Sequence, residues 1–301
     1  MNLICPSKKN FSEKVQLKFN KLINCNFLDI TQDKFNKIFY KYKIFLLRFN
    51  TTLPYIKNSK IKYILSPTTG INHIDKRYFN DKNIKIITLR NKVSFLRNIN
   101  ATSEFTILLI LLTLRNQLNF KSKKSFHEEI NNKDVGIIGL GRIGIKVAKI
   151  VKSFGANVKY YDIKKIKQKK YKYLKLSKLL RYSDILTIHI PLSEENKNFI
   201  DKKKLNKMKK NAVLINTSRG EIINENHLVK HIKKNKNFKY STDVLQHENT
   251  SKLSKVLILS KKNKNIFVSP HIAGMTKESV EATDNFIYLN FLKSFKNEKK
   301  S

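Results

Sequence analysis

The chain has 301 residues, enough for two domains with a core each. Hydrophobic residues make up 41%, which excludes a disordered chain, and the formal net charge is +40. Two cysteines, Cys5 and Cys25, exclude a disulfide framework and have no metal-ligand spacing, so no metal is expected and a reducing cytoplasm is the expected location.

In chain order, residues 13–23 read as an amphipathic helix, and Ile44–Leu47, Ile61–Leu65 and Ile84–Leu89 as buried strands. That is an α/β pattern with a parallel sheet. Residues 101–117 read as one long apolar helix, capped by Thr102 or Ser103 and suited to connecting two domains. Asn119–Lys133 is polar and partly loop. Val135–Ile138 is then a strand, Arg142–Ser153 a helix, and Val158–Tyr161, Ile185–Ile190 and Ala212–Asn216 are strands at βαβ spacing. The last helix is expected over about 277–295.

The charge implies less than its size suggests. Lys, Asn and Ile are abundant while Gly and Ala are scarce, the bias that AT-rich codons impose. A nucleic-acid surface gathers its charge on one face and interleaves aromatics. Here the lysines run along nearly the whole chain, with short runs at Lys202–Lys204 and around Lys233 and Lys234, and a terminal pair at Lys299 and Lys300. No nucleic-acid partner is expected, although so basic a protein attracts anionic substrates and cofactors. The longest apolar stretch, Phe105–Leu114, is ten residues and too short to span a bilayer. The start, Met1–Pro6, lacks the plan of a signal peptide, and no membrane association is expected.

Glycine is the informative residue type. Only eight are present, and four of them, Gly136, Gly139, Gly141 and Gly144, fall within nine residues. The last three spell G-x-G-x-x-G between an apolar strand and a helix, the context a dinucleotide turn requires. Gly139 permits the tight turn, Gly141 lets backbone approach a pyrophosphate, and Gly144 allows close helix–strand packing. The helix N-terminus offers N–H groups and a positive dipole end to the anion. Asp162, at the end of the second strand, is placed to accept hydrogen bonds from ribose hydroxyls and to repel a 2′-phosphate. NAD is therefore favoured over NADP, with Lys164 and Lys165 nearby softening the preference.

Reduction of a 2-keto acid needs a cation for the carboxylate, a proton donor for the carbonyl oxygen, and a group that keeps the donor charged and oriented. Three later segments offer them. Val213–Asn216 ends in a turn bearing Arg219, whose guanidinium matches a carboxylate. The segment from Ser241 carries Asp243 and Glu248. Val268-Ser269-Pro270-His271-Ile272-Ala273-Gly274 is a strand ending in a loop with His271. Of the other histidines, His127, His227, His231 and His247 read as solvated, and His189 as a structural residue lining the cofactor cleft.

Taken together these motifs resemble the D-isomer-specific 2-hydroxyacid dehydrogenases, of the phosphoglycerate dehydrogenase-like kind without the C-terminal regulatory domain. The resemblance covers about residues 40–290 and rests on the G-x-G-R-I-G turn, His189-Ile190-Pro191-Leu192, the N-T-S-R-G strand end, Asp243-Val244 with Glu248 following, and S-P-H-I-A-G. It implies a Rossmann NAD-binding domain over 101–273, inserted into a smaller flavodoxin-like α/β substrate domain of 1–100 plus 274–301. It implies that Arg219 binds the carboxylate, that His271 is the acid and base, and that Glu248 pairs with His271. Arg142, Ile143 and Gly274 would join the cofactor site, with Thr217 and Asp243 flanking the nicotinamide. Thr69 and Gly70, in Ser66–Asp75, would help hold the substrate carboxylate, and His73 would either face the pocket or lie on a solvated loop. The partner is then a small anionic 2-keto or 2-hydroxy acid and the assembly a homodimer, with a cleft that closes over the substrate. The alternative is a non-catalytic NAD(H)-sensing protein of the same fold. The sequence departs from the family pattern at Asn249, where proline is usual, and at Tyr240, Ser241 and Thr242, where small residues are usual.

Overall fold

A computed structural model describes residues 1–57, 59–115, 126–166, 170–248 and 253–298. The end of the helix expected over 101–117, the first part of the polar stretch after it, Asn249 and the terminal lysine pair lie outside the described residues. The chain divides into two compact units, Met1–Ile99 with Met275–Ser301, and Asn100–Gly274. Each is built on a parallel sheet.

The first unit contains β1 (Asn2–Cys5), β2 (Asn24–Phe27), β3 (Ile44–Leu46), β4 (Tyr63–Ser66) and β5 (Lys85–Thr88) in the order β2-β1-β3-β4-β5. This is the flavodoxin-like order. Helices cover both faces, so the central strands are apolar throughout rather than alternating. On one face Phe291 of the last helix, Lys277–Glu298, packs against both Phe19 of helix Glu13–Asn20 and Tyr63 of β4. On the other, Phe35 of helix Gln32–Ile38 packs with Phe45 of β3 and with Phe39. The last helix is also tied in by a buried ion pair. Asp284 accepts from Arg48 Nη2 at 2.6 Å and from the Ser12 N–H at 2.8 Å.

The second unit contains β6 (Asp134–Ile138), β7 (Asn157–Tyr161), β8 (Lys172–Tyr173), β9 (Ile185–Ile188), β10 (Val213–Asn216), β11 (Lys239–Thr242) and β12 (Ile266–Val268). Their order is β12-β11-β10-β9-β6-β7-β8, the Rossmann order, with its reversal between β6 and β9. Helices Ala101–Arg115 and Arg142–Ser153 join one core through Leu109, Ile110, Val147 and Val151. Helices Leu176–Tyr182, Glu225–Lys234 and Lys255–Ser260 join the other through Leu179, Leu228, Ile232 and Val256.

Several local expectations change. Helix Ala101–Arg115 takes in Thr102 and Ser103, and the Ser103 hydroxyl donates back to the Asn100 carbonyl at 2.6 Å instead of capping. His231 is buried, not solvated: helix Glu225–Lys234 turns it inward, edge-on to Phe238. His227 is half-buried and its Nδ1 accepts the Lys202 N–H at 3.2 Å. Among the described residues no helix is long and apolar enough to cross a membrane.

Candidate active site

Three neighbouring strands deliver the three catalytic candidates. Arg219 follows β10, Glu248 follows β11 and His271 follows β12, all beyond carboxyl ends, where open parallel sheets bind ligands. His271 Nδ1 lies 2.6 Å from Glu248 Oε2, with both side chains partly exposed. An ionised carboxylate only accepts, so Nδ1 carries the proton of this bond, which leaves Nε2 to meet a substrate. The other Glu248 oxygen, Oε1, accepts the Leu245 N–H at 2.6 Å and closes the turn on itself.

Arg219 is set by its own turn. Asn216, fully buried at the end of β10, donates to the Arg219 carbonyl at 2.9 Å and accepts the Ser218 N–H at 3.0 Å. Ser218 Oγ donates to the Ile188 carbonyl of β9 at 2.7 Å. Burial lowers the guanidinium pKa from its ordinary value, while the negative charges of Glu248 and then Glu221 push it back up. One carboxylate therefore acts on both the guanidinium and the imidazole. Gly220 brings the two turns together: a Cβ there would lie 2.1 Å from the Leu245 carbonyl carbon.

His271 has φ +56°, a left-handed conformation uncommon outside glycine. Asp243, fully buried, grips the chain on both sides of it. Its Oδ1 accepts from Ser269 Oγ at 2.6 Å and the Ile272 N–H at 2.9 Å, and its Oδ2 accepts the Ala273 N–H at 2.7 Å. Burial raises the Asp243 pKa, and these hydrogen bonds work against the rise.

The glycine turn lies at the β6–β9 reversal. Gly139 has φ +88°, and a Cβ there would meet the His189 carbonyl oxygen at 2.7 Å. A Cβ on Gly144 would sit 2.1 Å from the Gly139 carbonyl oxygen, so helix and strand pack at glycine distance. A Cβ on Gly141 would meet nothing within 4 Å. Space therefore opens at the helix N-terminus, and no side chain caps it. Arg142 and Ile143 form the first helical residues there. Asp162 follows β7 and accepts the Leu140 N–H at 2.8 Å, which pins the acidic residue to the turn.

A family model described as "D-isomer specific 2-hydroxyacid dehydrogenase, NAD binding domain" matches residues 109–273. A D-specific alpha-keto acid dehydrogenase of Enterococcus faecalis is 30% identical over 82% of this chain and 80% of its own length. A glyoxylate reductase of Aeropyrum pernix is 33% identical over 60% of this chain and 58% of its own. The solved D-lactate dehydrogenase of Aquifex aeolicus, complexed with NAD and lactic acid, shares the fold: TM-score 0.80, 22% identity, 99% of this chain and 96% of that one. The chain belongs to the D-isomer-specific 2-hydroxyacid dehydrogenases. It is an NAD-dependent oxidoreductase of that family, and an NAD-sensing role without catalysis is not favoured.

The residues of this dehydrogenase fit a dinucleotide. Open space at Gly141, uncapped N–H groups and a carboxylate one strand away suit a pyrophosphate and a ribose. Thr217 is buried, with its hydroxyl 2.9 Å from that of Thr106. A Cβ on Gly274 would meet only Thr102 Oγ1, at 3.9 Å. His189 Nε2 lies 3.0 Å from Thr187 Oγ1, and burial pulls its pKa down to about 3, so it is a neutral structural ring. The larger residues before Asp243 are absorbed by hydrogen bonds: Ser241 Oγ lies 2.6 Å from Thr113 Oγ1, and Thr242 Oγ1 lies 3.0 Å from the Asn216 carbonyl.

In the first unit, Ser66–Gly70 is braced from within. Ser66 Oγ lies 2.9 Å from both Thr68 Oγ1 and His73 Nε2, and Thr68 Oγ1 donates to the Gly70 carbonyl at 2.7 Å. His73 is 3% exposed, so it is not on a solvated loop. Asn216 and Glu225 escaped the sequence reading. A visible signal existed for Glu225, a carboxylate at helical spacing with Leu228 and Ile232 on an apolar stripe.

Proposed function

We propose that the dehydrogenase reduces a small 2-keto acid to the D-2-hydroxy acid, and runs the reverse reaction, with Arg219, Glu248 and His271 as its working side chains. When held at the glycine turn, NADH would supply the hydride. Arg219 holds the substrate carboxylate bidentately and polarises the C2 carbonyl. His271 gives a proton from Nε2 to the carbonyl oxygen in reduction and takes it back in oxidation. Glu248 fixes the tautomer and the orientation of the ring through the bond to Nδ1. Asp162 holds the ribose. Gly139, Gly141, Arg142, Ile143 and Gly144 leave the pyrophosphate its space and backbone N–H groups.

The observation that carries this reading is the 2.6 Å His271–Glu248 pair, with the same carboxylate acting on Arg219. A protein that only sensed NAD would have no use for it. The test is NADH oxidation with a panel of 2-keto acids, including glyoxylate and hydroxypyruvate, with and without phosphate groups. His271→Gln is expected to lower kcat/KM by about 10²- to 10⁴-fold, while NADH affinity by fluorescence titration stays near the wild-type value. Wild-type turnover in that variant would remove the proton-transfer role. The same reading includes a homodimer, by analogy with the family, and a reducing cytoplasm, which two unpaired thiols, Cys5 and Cys25, suit. Sedimentation equilibrium giving the mass of one chain would remove the dimer.

A further inference from the structure

Glu225 takes no part in the reaction just described, yet its carboxylate is buried. It opens helix Glu225–Lys234 and is 7% exposed. Burying a carboxylate is costly unless donors surround it. Among the described residues its donors come from the stretch around Glu248. Oε1 accepts the Gln246 N–H at 3.1 Å and Ser254 Oγ at 2.7 Å, and Oε2 accepts the Lys255 N–H at 2.9 Å. Gln246 lies two residues before Glu248, and Ser254 and Lys255 lie six and seven after it.

The helix does not need this carboxylate as a cap. Asn224 fills that role by accepting the His227 N–H at 3.1 Å. Other contacts converge on the same turn. Gln246 Nε2 donates to the Ile223 carbonyl at 2.7 Å, and Gly220 abuts Leu245 and Gln246 at glycine-only distance. The stretch from Gly220 to Glu225 thus forms a floor under the turn that carries Glu248, and Glu225 is its charged anchor.

We propose that Glu225 is a positioning residue: it fixes the turn bearing Glu248, and through Glu248 it holds the Nδ1 proton of His271. The proposal rests on the roles given above to Glu248 and His271. In Glu225→Gln an amide NH₂ replaces one acceptor oxygen and confronts a backbone N–H, so the turn loses its anchor while side-chain volume is kept.

The test reads the pair directly. A strongly hydrogen-bonded Nδ1 proton gives a far-downfield proton NMR resonance, assigned by its loss in His271→Gln. The wild-type protein is expected to show it, and Glu225→Gln to lose it or broaden it by exchange while remaining folded. Ile232→Val, a small cavity in the same helix, controls for destabilisation alone and is expected to keep the resonance sharp. With a turned-over keto acid, kcat in Glu225→Gln is expected to fall about tenfold, with the KM for NADH unchanged. In a Glu248→Gln background the Glu225 substitution is expected to cost nothing further, because both act on one bond. A sharp wild-type resonance in folded Glu225→Gln, an equal loss in Ile232→Val, or no such resonance in the wild-type protein overturns the proposal. A wild-type resonance without turnover of any keto acid would instead defeat the proposed function and leave the positioning role standing.

Discussion

His271 adopts a backbone conformation that costs a non-glycine residue on the order of 1–2 kcal/mol, and Asp243 supplies the opposing hydrogen bonds. The imidazole is thus aimed by its loop as well as by Glu248. Gly220 serves the same end by having no side chain. In Gly220→Ala the new methyl would strike backbone at 2.1 Å, and backbone cannot swing aside as a flexible side chain can. The Glu248 turn must move by roughly an ångström, and kcat is expected to fall about 100-fold with NADH binding kept; unchanged kcat would show that the turn has slack. His189 gives a pH prediction. Its folded pKa is about 3 against an ordinary 6.5. Between those values the unfolded chain takes up a proton that the folded ring refuses. The stability from the neutral ring is therefore fully present above about pH 6.5 and is lost as pH falls towards 3. Replacing His189 by Gln, which does not titrate, should flatten that acid limb by about 1–3 kcal/mol between pH 7 and 4, read from urea midpoints at constant m. Parallel limbs in the two proteins would assign acid sensitivity to other groups.

At the level of elements, the last helix depends on a charge pair where apolar packing alone could have served. Arg48 and Asp284 are 5% and 0% exposed in their side chains. Removing one partner leaves the other buried and uncompensated, so Asp284→Ala is expected to cost about 3–5 kcal/mol in chemical denaturation; a loss under 1 kcal/mol would mean that water reaches the arginine. Which elements the sequence disclosed follows the same physics. In the second unit β6, β9 and β10 are short, mostly apolar runs bounded by turns, and helix Arg142–Ser153 begins and ends where glycine spacing and periodicity place it. Compositional pressure against glycine helped, since the survivors mark close approaches such as Gly139, Gly144 and Gly220. β1 and β2 were not anticipated. Asn24-Cys25-Asn26-Phe27 is a polar edge strand whose alternate residues face solvent, and β1 is four residues long with no turn signal before it. His231 looked solvated because lysines surround it in sequence, whereas the helical period turns it inward. The three catalytic candidates were legible as motifs. The apolar stripe marks Glu225 as inward-facing and the motif marks Asp243, but the partners they grip, the Glu248 turn and the His271 loop, come from distant segments that no local pattern encodes.

For the whole molecule, the net charge of +40 makes ionic strength an experimental lever. Its two effects should run in opposite directions. A field this positive draws anions inward, and both NADH and a 2-keto acid are anionic, so encounter is assisted at low salt. The same charges repel one another in the folded state and oppose compaction. Screening shortens the reach of both, from a Debye length of about 30 Å at 0.01 M to about 3 Å at 1 M. Raising sodium chloride from about 20 mM to about 500 mM should therefore lower kcat/KM for the keto acid several-fold while raising the thermal midpoint. kcat itself should change little, because the contacts proposed for Arg219 and His271 with a bound substrate are short-range and salt screens them little. Local repulsion at the site alone would make kcat and KM move together without a rise in thermal midpoint. If kcat/KM were flat across that range, the lysines would have to lie too far from the sheet's carboxyl ends, or be too well balanced there by carboxylates such as Glu221 and Glu248, to guide a ligand. The basic composition would then act on stability and solubility alone.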